Sequence, residues 1–355
     1  MLKINIVLPG FSVKEKVNGG YKVIYQYSNY LSENGFDICI YYNLMNGVNQ
    51  KGFPNWLTRI VKKALFFIKK KNFPSWFKLN KKIIQKLCNI NNKNIRNADI
   101  IIATAYVTTD DVKKLNKSKG KKVYFIQDFE NWNGVSDEEV YNSYKLGFTN
   151  IVVSKWLKNI VDKNSNAKSV LISNGIDEKI FKITNKIEDR NNHSIAYLYH
   201  NDVRKGCKYG KQILEKLYQK YPDLHVELFG YPPRPKNLPL YIHYTQNANE
   251  KEVAKIMNES AIYMCTSLEE GFGLPGLEAM FCGCALVSTE TQGVYEYAND
   301  DCAMLSNIDK MYDNICYLFE KNDKRINMAW LGNKNVQKNK LSISQDKFKD
   351  AMQNL

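Results

Sequence analysis

The chain has 355 residues, a formal net charge of +15 and 44% hydrophobic residues, which is too long for one ordinary core and too apolar for a disordered or fibrous chain, so a two-domain globular protein is expected. Its eight cysteines, at positions 39, 88, 207, 265, 282, 284, 302 and 316, form no Cys-x2-Cys pair and have no histidine at zinc spacing, which argues against a metal site and a secreted disulfide frame and fits reducing cytosol. No apolar run approaches the ~20 residues of a bilayer span, and the N-terminus lacks the pattern of a signal peptide, so neither element is expected.

In chain order, residues 3–10 read as a short β-branched strand, and Gly19-Gly20 opens a helix from Tyr21 to about Asn34 that Gly35 closes. A second strand is expected at 36–42. Residues 51–100 then hold 13 Lys and Arg against the single acid Asp99, supplying +12 of the net +15. Within them, residues 56–70 project as a helix with Trp56, Leu57, Ile60, Val61, Ala64, Leu65, Phe67 and Ile68 on one half and Arg59, Lys62, Lys63, Lys69 and Lys70 on the other. Only Phe66 falls on the basic side. Phe73-Pro74-Ser75-Trp76-Phe77-Lys78 continues the alternation of aromatic and basic residues. Two readings stand: residues 54–78 lie on an anionic membrane surface, or the apolar face packs on its own domain and the lysines are solvated. No reader motif accompanies the charge, so nucleic acid is not an expected partner.

Further strands are expected at 99–104, 122–127, 151–154 and 169–172, separated by helices. Asp128 lies in Gln127-Asp128-Phe129-Glu130, just past the carboxyl end of one of them, where parallel sheets place ligands; a helix cap is the alternative role. Asn174-Gly175 is a turn between the halves. The second half repeats the pattern, with strands at 195–199, 225–230, 261–267 and 284–288, a helix at 209–221, and a closing helix at 344–353. Alternating strands and helices imply two parallel sheets wound on both faces. Tyr231-Pro232-Pro233, after the 225–230 strand, lies where a base can stack or simply forms a stiff surface loop.

The densest chemistry lies at residues 269–289. Glu270 and Glu278 stand eight positions apart around Gly271-Phe272-Gly273-Leu274, and Pro275 falls where a first helical turn tolerates proline. The small glycines let backbone N–H groups approach an anion at a helix start, which suits a diphosphate. Leu277, Met280 and Phe281 share a helical face toward the core, leaving Glu278 beside it in the first turn to accept from vicinal hydroxyls such as those of a ribose, while Glu270 in the loop is freer to reach a sugar.

This stretch resembles the Glu-x7-Glu signature of glycosyltransferase family 4, retaining enzymes of the GT-B fold. The resemblance implies two Rossmann-like domains facing a cleft, an acceptor-binding one at 1–178 joined by a closing helix at 340–355, and a nucleotide-sugar-binding one at 179–339. It implies that Glu270 contacts the donor sugar, Glu278 the ribose, and the backbone of Gly271, Phe272, Gly273 and Leu274 the phosphates and sugar hydroxyls. Gly19 and Gly20 match the family's donor-phosphate loop, and Asp128 occupies the place of its residue facing the reacting sugar, so Asp128 and Glu270 are the expected catalytic pair. Ser173-Asn174-Gly175-Ile176-Asp177 is similar to the family's interdomain junction. Arg204-Lys205-Gly206 resembles its Lys-Gly, with Lys205 gripping the diphosphate; the family's earlier Gly-Arg is replaced by His200-Asn201, so Arg204 takes over that arginine's task or is merely exposed. Gln292 to Glu296 resembles a family loop with a late glutamate.

The expected activity is retaining transfer of a sugar from a UDP- or dTDP-linked donor to a saccharide acceptor, polyprenyl-diphosphate-linked, at the inner face of the cell membrane. Gln-Asp-Phe-Glu and Gly-Gly-Tyr-Lys-Val resemble the branch that builds rhamnose-containing bacterial surface polysaccharides, which brings dTDP-rhamnose into the expected donors. No Asp-x-Asp occurs, so no metal and no cofactor are expected, and Lys205, Arg204 and a helix start must meet the leaving charge. The competing classes are a nucleotide-sugar-binding scaffold without turnover and a basic nucleic-acid-binding protein.

Overall fold

The computed structural model describes residues 1–11, 18–44, 55–69, 73–132, 134–236 and 238–355, with the side chain of Asn55 outside the description. The chain divides into two compact units, Met1–Ser173 with Gln345–Leu355, and Asn174–Ser344.

The first unit is built on a seven-stranded parallel sheet of β1 (Lys3–Leu8), β2 (Asp37–Asn43), β3 (Ile84–Cys88), β4 (Ile100–Ala103), β5 (Lys121–Ile126), β6 (Thr149–Val152) and β7 (Val170–Leu171), in the order β3-β2-β1-β4-β5-β6-β7. Helices α1 (Gly19–Glu33), α2 (Asn55–Lys69), α3 (Tyr106–Lys113), α4 (Asp137–Tyr144) and α5 (Lys155–Asn164) lie between strands. The central strands are buried on both faces, as Ile100, Ile101, Ile102 and Ala103 illustrate, so they read as continuous apolar runs.

The second unit repeats the design with six parallel strands, β8 (Ser194–Tyr199), β9 (His225–Gly230), β10 (Ile242–Gln246), β11 (Ile262–Cys265), β12 (Ala285–Thr289) and β13 (Met304–Ser306), ordered β10-β9-β8-β11-β12-β13. Its helices are α6 (Cys207–Lys220), α7 (Glu250–Glu259), α8 (Leu274–Phe281), α9 (Met311–Glu320) and α10 (Asn322–Val336). Both sheets reverse their strand order beside the first strand, between β1 and β4 and between β8 and β11. In doubly wound folds this switch point is where the loops at the strands' carboxyl ends part to admit a ligand.

The last helix, α11 (Leu341–Gln353), begins in the second unit, and from Gln345 onward its residues belong to the first. Phe348 stacks on Tyr27, with centroids 4.5 Å apart, and meets Phe125 edge-on at 5.6 Å. Tyr30 donates to Asp346 beside this contact.

Three strands escaped the sequence reading, β3, β10 and β13, and all three are sheet edges. An edge strand keeps polar residues among its apolar ones, as Ile84-Gln85-Lys86-Leu87-Cys88 does, and so lacks the uninterrupted run that marks a central strand. The first helix starts at Gly19 rather than Tyr21, because the Asn18 side chain caps it by accepting from the Tyr21 N–H at 3.0 Å. Gly19 and Gly20 therefore form the opening helical turn instead of a loop before it.

Helix α2 is oriented against the reading in which its apolar half packs inward. Trp56, Ile60, Phe67 and Ile68 are 63%, 55%, 83% and 74% exposed, whereas Phe66, the one aromatic on the basic side, is buried. Phe66 packs edge-on to Phe11 at 5.2 Å and against Tyr42 at 5.7 Å. The aromatic pocket of Phe11, Tyr42 and Phe73 accepts one ring, and that ring sets the helix rotation. Residues 54 and 70–72 of the basic segment, Lys70 among them, lie outside the described residues.

Candidate functional site

At the switch point of the second sheet two loops meet. The loop after β8 carries His200 to Gly206, and the loop after β11 carries Thr266 to Gly273. Lys205 Nζ lies 2.6 Å from Glu270 Oε1, joining them by an ion pair that is largely withdrawn from solvent. The same carboxylate oxygen accepts from Ser267 Oγ at 2.7 Å, Thr266 Oγ1 donates to the Lys205 carbonyl at 3.1 Å, and the Leu268 N–H donates to the Arg204 carbonyl at 2.6 Å. Tyr197 Oη meets Thr266 Oγ1 at 2.8 Å from the strand below. A void of about 10 Å³ remains between Lys205, Ser267, Glu270, Gly273 and Gly276, room for about one water.

Glu270 is thus more constrained than a free loop carboxylate. The loop curls so that its side chain points back at Lys205, and neither residue type announces this pairing across 65 positions of sequence. Arg204 is held by its own turn, with Nη2 at 2.7 Å from Asp202 Oδ2, and this contact holds the Asp202 carboxyl below its usual range.

Gly271, Phe272, Gly273 and Leu274 lead from this pair into α8. Gly273 caps that helix at φ 87°, a left-handed conformation that side-chain-bearing residues rarely adopt. Its carbonyl accepts from Tyr297 Oη at 2.9 Å, and the Phe272 ring lies 5.8 Å from that of Tyr297. The backbone of Gly293 presses on the same turn, since a Cβ there would sit 2.7 Å from the Glu270 carbonyl oxygen. The 292–296 loop therefore buttresses the signature from behind, a task its sequence does not show.

Glu278 needs correcting. Helix α8 begins at Leu274, which puts Glu278 beyond the first turn, and the residue is buried together with Leu277, Met280 and Phe281. The helix packs against α10, β12, α7 and β11, so it is enclosed around nearly its whole circumference instead of presenting one polar side. Past its C-terminal end, the guanidinium of Arg190 donates to the carbonyls of Cys282 at 2.6 Å and Ser260 at 3.0 Å, anchoring the helix from below.

In the first unit the carboxyl ends of β1, β4 and β5 converge on Gly20, Gln127, Asp128 and Glu130. Gln127 Nε2 donates to the Gly20 carbonyl at 3.1 Å, tying the first turn of α1 to the β5 loop. Tyr21 bonds to both polar groups of the Gly10 backbone, at 3.2 and 2.9 Å, and burial pushes its hydroxyl up to about 12. Asp128 Oδ1 accepts from the neighbouring Phe129 N–H at 2.9 Å, and the next helix, α4, is capped by Ser136. Glu130, which nothing in the sequence singles out, is partly buried and accepts from the Tyr106 N–H at 2.8 Å. Burial raises its carboxyl to about 7, opposed by the Tyr106 N–H and assisted by the nearby Asp128 charge.

In the second unit, Tyr244 Oη donates to the Pro232 carbonyl, which fixes the Tyr231-Pro232-Pro233 turn after β9. Among the described residues no helix is long and apolar enough to cross a membrane.

Comparison with known proteins fits this geometry. The chain superposes on HepE of Anabaena, solved in complex with UDP-glucose, with a TM-score of 0.74 and 14% identity over 100% of both chains. Sucrose-phosphate synthase of Thermosynechococcus elongatus gives 0.72 and 13% over 100% of this chain and 99% of that one. A glycosyltransferase of Rickettsia africae gives 0.69 and 19% over 99% and 98%. The fold is GT-B. Residues 194–321 match the family model described as glycosyl transferases group 1, a span that runs from β8 into the end of α9 and contains Arg204, Lys205 and the whole of Glu270 to Glu278. A search of curated proteins found no matching sequence. Within the GT-B fold, the Lys205–Glu270 pair and the Gly273 turn stand at the switch point of the second Rossmann-like unit, and Gly20, Asp128 and Glu130 at that of the first.

Proposed function

We propose that the chain is a retaining glycosyltransferase that takes a UDP- or dTDP-linked sugar as donor and a saccharide on a polyprenyl diphosphate as acceptor, working at the inner surface of a bacterial membrane in surface-polysaccharide synthesis. The observation that carries the reading is the ion pair between Lys205 and Glu270 across the β8/β11 switch point, set on a glycine turn that opens α8. The group 1 match over residues 194–321 supports sugar transfer, and the UDP-glucose complex of HepE supports a uridine donor, with dTDP-rhamnose the alternative that the Gln127-to-Glu130 wording favours.

In this reading the diphosphate lies against the start of α8 and draws Lys205 toward it, while Glu270 holds hydroxyls of the sugar and Glu278 the ribose. Arg204 stands next to Lys205 as a second cation. The bond between the anomeric carbon and the leaving phosphate oxygen breaks as the acceptor oxygen bonds the same face of that carbon, and the acceptor proton passes to the departing phosphate. Fixed cations and the helix start stabilise the charge that develops on the diphosphate, so the reaction proceeds without a divalent ion. Gly19, Gly20 and Asp128 serve the reaction from the first unit, with Asp128 facing the reacting sugar.

Attachment to the membrane is supported by α2, whose exposed Trp56, Ile60, Val61, Phe67 and Ile68 form an apolar face flanked by lysines. Such a face has the chemistry of an anionic bilayer surface and not of a nucleic-acid groove.

The test is a thermal-shift panel of nucleoside-diphosphate sugars followed by transfer of labelled sugar to a lipid-linked saccharide in EDTA. Stabilisation by one donor and transfer with retained configuration are expected. Donor binding without transfer or donor hydrolysis would make the chain a binding scaffold, and loss of activity on chelation, restored by magnesium, would overturn the metal-free assignment.

A further inference from the structure

A cavity among the described residues lies away from both switch points. It is an open groove of about 370 Å³ between α2 and the edge strand β3, within the ~300–1,000 Å³ of small-molecule sites. Phe66, Phe67 and Leu87 supply apolar wall, Lys63 and Lys86 supply two ammonium groups, and Cys88 also lines it; none of the eight lining residues is acidic. Burial pushes the Cys88 thiol up to about 11, with Lys86 and Lys63 nearby opposing the rise.

The position is offset along the sheet from the glycine turn of the same unit. β3 stands two strands from β1 and three from β4, about 10 and 14 Å at the usual interstrand spacing. It opens instead beside the exposed apolar face of α2, and Phe67, 83% exposed, belongs to both. Paired cations above an apolar wall, at the rim of an apolar face, match a ligand with a phosphate at one end and hydrocarbon at the other.

We propose that this cavity binds the phosphate-bearing headgroup of an anionic bilayer glycerophospholipid, with Lys63 and Lys86 on the phosphate and Phe66, Phe67 and Leu87 against the glycerol and first acyl methylenes. The inference rests on the reading of α2 as a membrane-facing element and adds to it a stoichiometric site. General attraction of a basic surface to anionic lipid is graded and screened by salt, whereas a headgroup cavity saturates at one equivalent.

The experiment titrates the full-length protein with dihexanoyl-phosphatidylglycerol below its micelle concentration, followed by NMR and calorimetry, alongside co-sedimentation with vesicles of phosphatidylglycerol and phosphatidylcholine. The parent should saturate at one equivalent, dihexanoyl-phosphatidylcholine should bind more weakly, and glycerol 1-phosphate should compete. Lys63→Gln with Lys86→Gln should weaken the titration by about tenfold or more while vesicle binding falls by less than about threefold, because the aromatic face is intact. Lys63→Arg with Lys86→Arg should restore saturation, which shows that the glutamine protein lost charge and not fold. A parent that sediments with vesicles yet shows no saturable site, or a glutamine variant that titrates like the parent, overturns the cavity assignment alone. Inorganic phosphate binding as tightly as the short-chain lipid overturns it as well, since the apolar wall would then contribute nothing. A parent that neither sediments nor titrates overturns both this site and the membrane reading.

Discussion

Lys205 and Glu270 come from the loops on either side of the strand-order reversal in the second unit and meet at 2.6 Å. Each is the other's charge partner until a ligand offers a better one. In the proposed function a diphosphate would compete with Glu270 for Lys205, and sugar hydroxyls would compete with Lys205 for Glu270.

Removing either member should therefore do more than remove a contact. Lys205→Met is expected to lower kcat about 10²- to 10³-fold, as loss of a cation facing developing phosphate charge does, and to weaken UDP binding. Glu270→Gln should lower kcat with a smaller effect on UDP affinity, because the proposed role of Glu270 is with the sugar. Steady-state kinetics and UDP calorimetry on both variants and the double variant check this; fully additive effects would show that the pair does not act as a unit.

Glu278→Ala should weaken UDP binding by ~1–3 kcal/mol, the usual cost of losing a charged hydrogen bond. Glu278 is buried in α8, so the melting temperature of the free variant must be measured beside the calorimetric affinity. Unchanged affinity for UDP and dTDP removes the ribose role.

Glu130 gives a pH signature. Its carboxyl is raised from 4.5 to about 7 by burial, so between those values the folded chain keeps a proton that the unfolded chain releases. Stability carried by this residue is therefore fully present below pH 4.5 and is lost as pH rises to about 7, up to about 3 kcal/mol in all. Urea unfolding of parent and Glu130→Gln across this window should show a difference that shrinks at low pH and levels off above about 7; a constant offset would place the titration elsewhere.

Trp56→Ser with Phe67→Ser should cut co-sedimentation with anionic vesicles while nucleotide affinity stays unchanged, since both side chains are exposed on α2 of the first unit, whereas the signature lies in the second. Undiminished vesicle binding would mean that α2 is not the membrane-facing element.

Arg190→Met should destabilise the second unit by ~2–4 kcal/mol, because the carbonyls of Asn185, Met257, Ser260 and Cys282 lose their donor in a buried setting. Denaturant unfolding measures the cost, and a loss under ~0.5 kcal/mol would show that water replaces the guanidinium.

What was readable in the sequence follows from how local each feature is. The run Ile100-Ile101-Ile102-Ala103 announces a central strand because burial on both faces leaves no polar position, and Gly271-Phe272-Gly273-Leu274-Pro275 announces a tight turn into a helix because each residue serves that backbone. Edge strands such as Ile242–Gln246 were silent, since one open side admits His243 and Thr245. The rotation of α2 was invisible for a different reason. Helical periodicity shows which residues share a face, but only the pocket formed by Phe11, Tyr42 and Phe73 decides which face turns inward. Glu130 was missed because its perturbation comes from burial and a backbone N–H supplied by Tyr106, 24 positions away.

The stacking of Phe348 on Tyr27 also sets an order of events in time. Tyr27 and Phe125 are made early, yet the ring that covers them arrives with the final helix, after the whole second unit has been synthesised. During translation the first unit must wait with an open aromatic surface while some 170 residues emerge between its main body and Gln345–Leu355, so its closure follows the synthesis of the second unit.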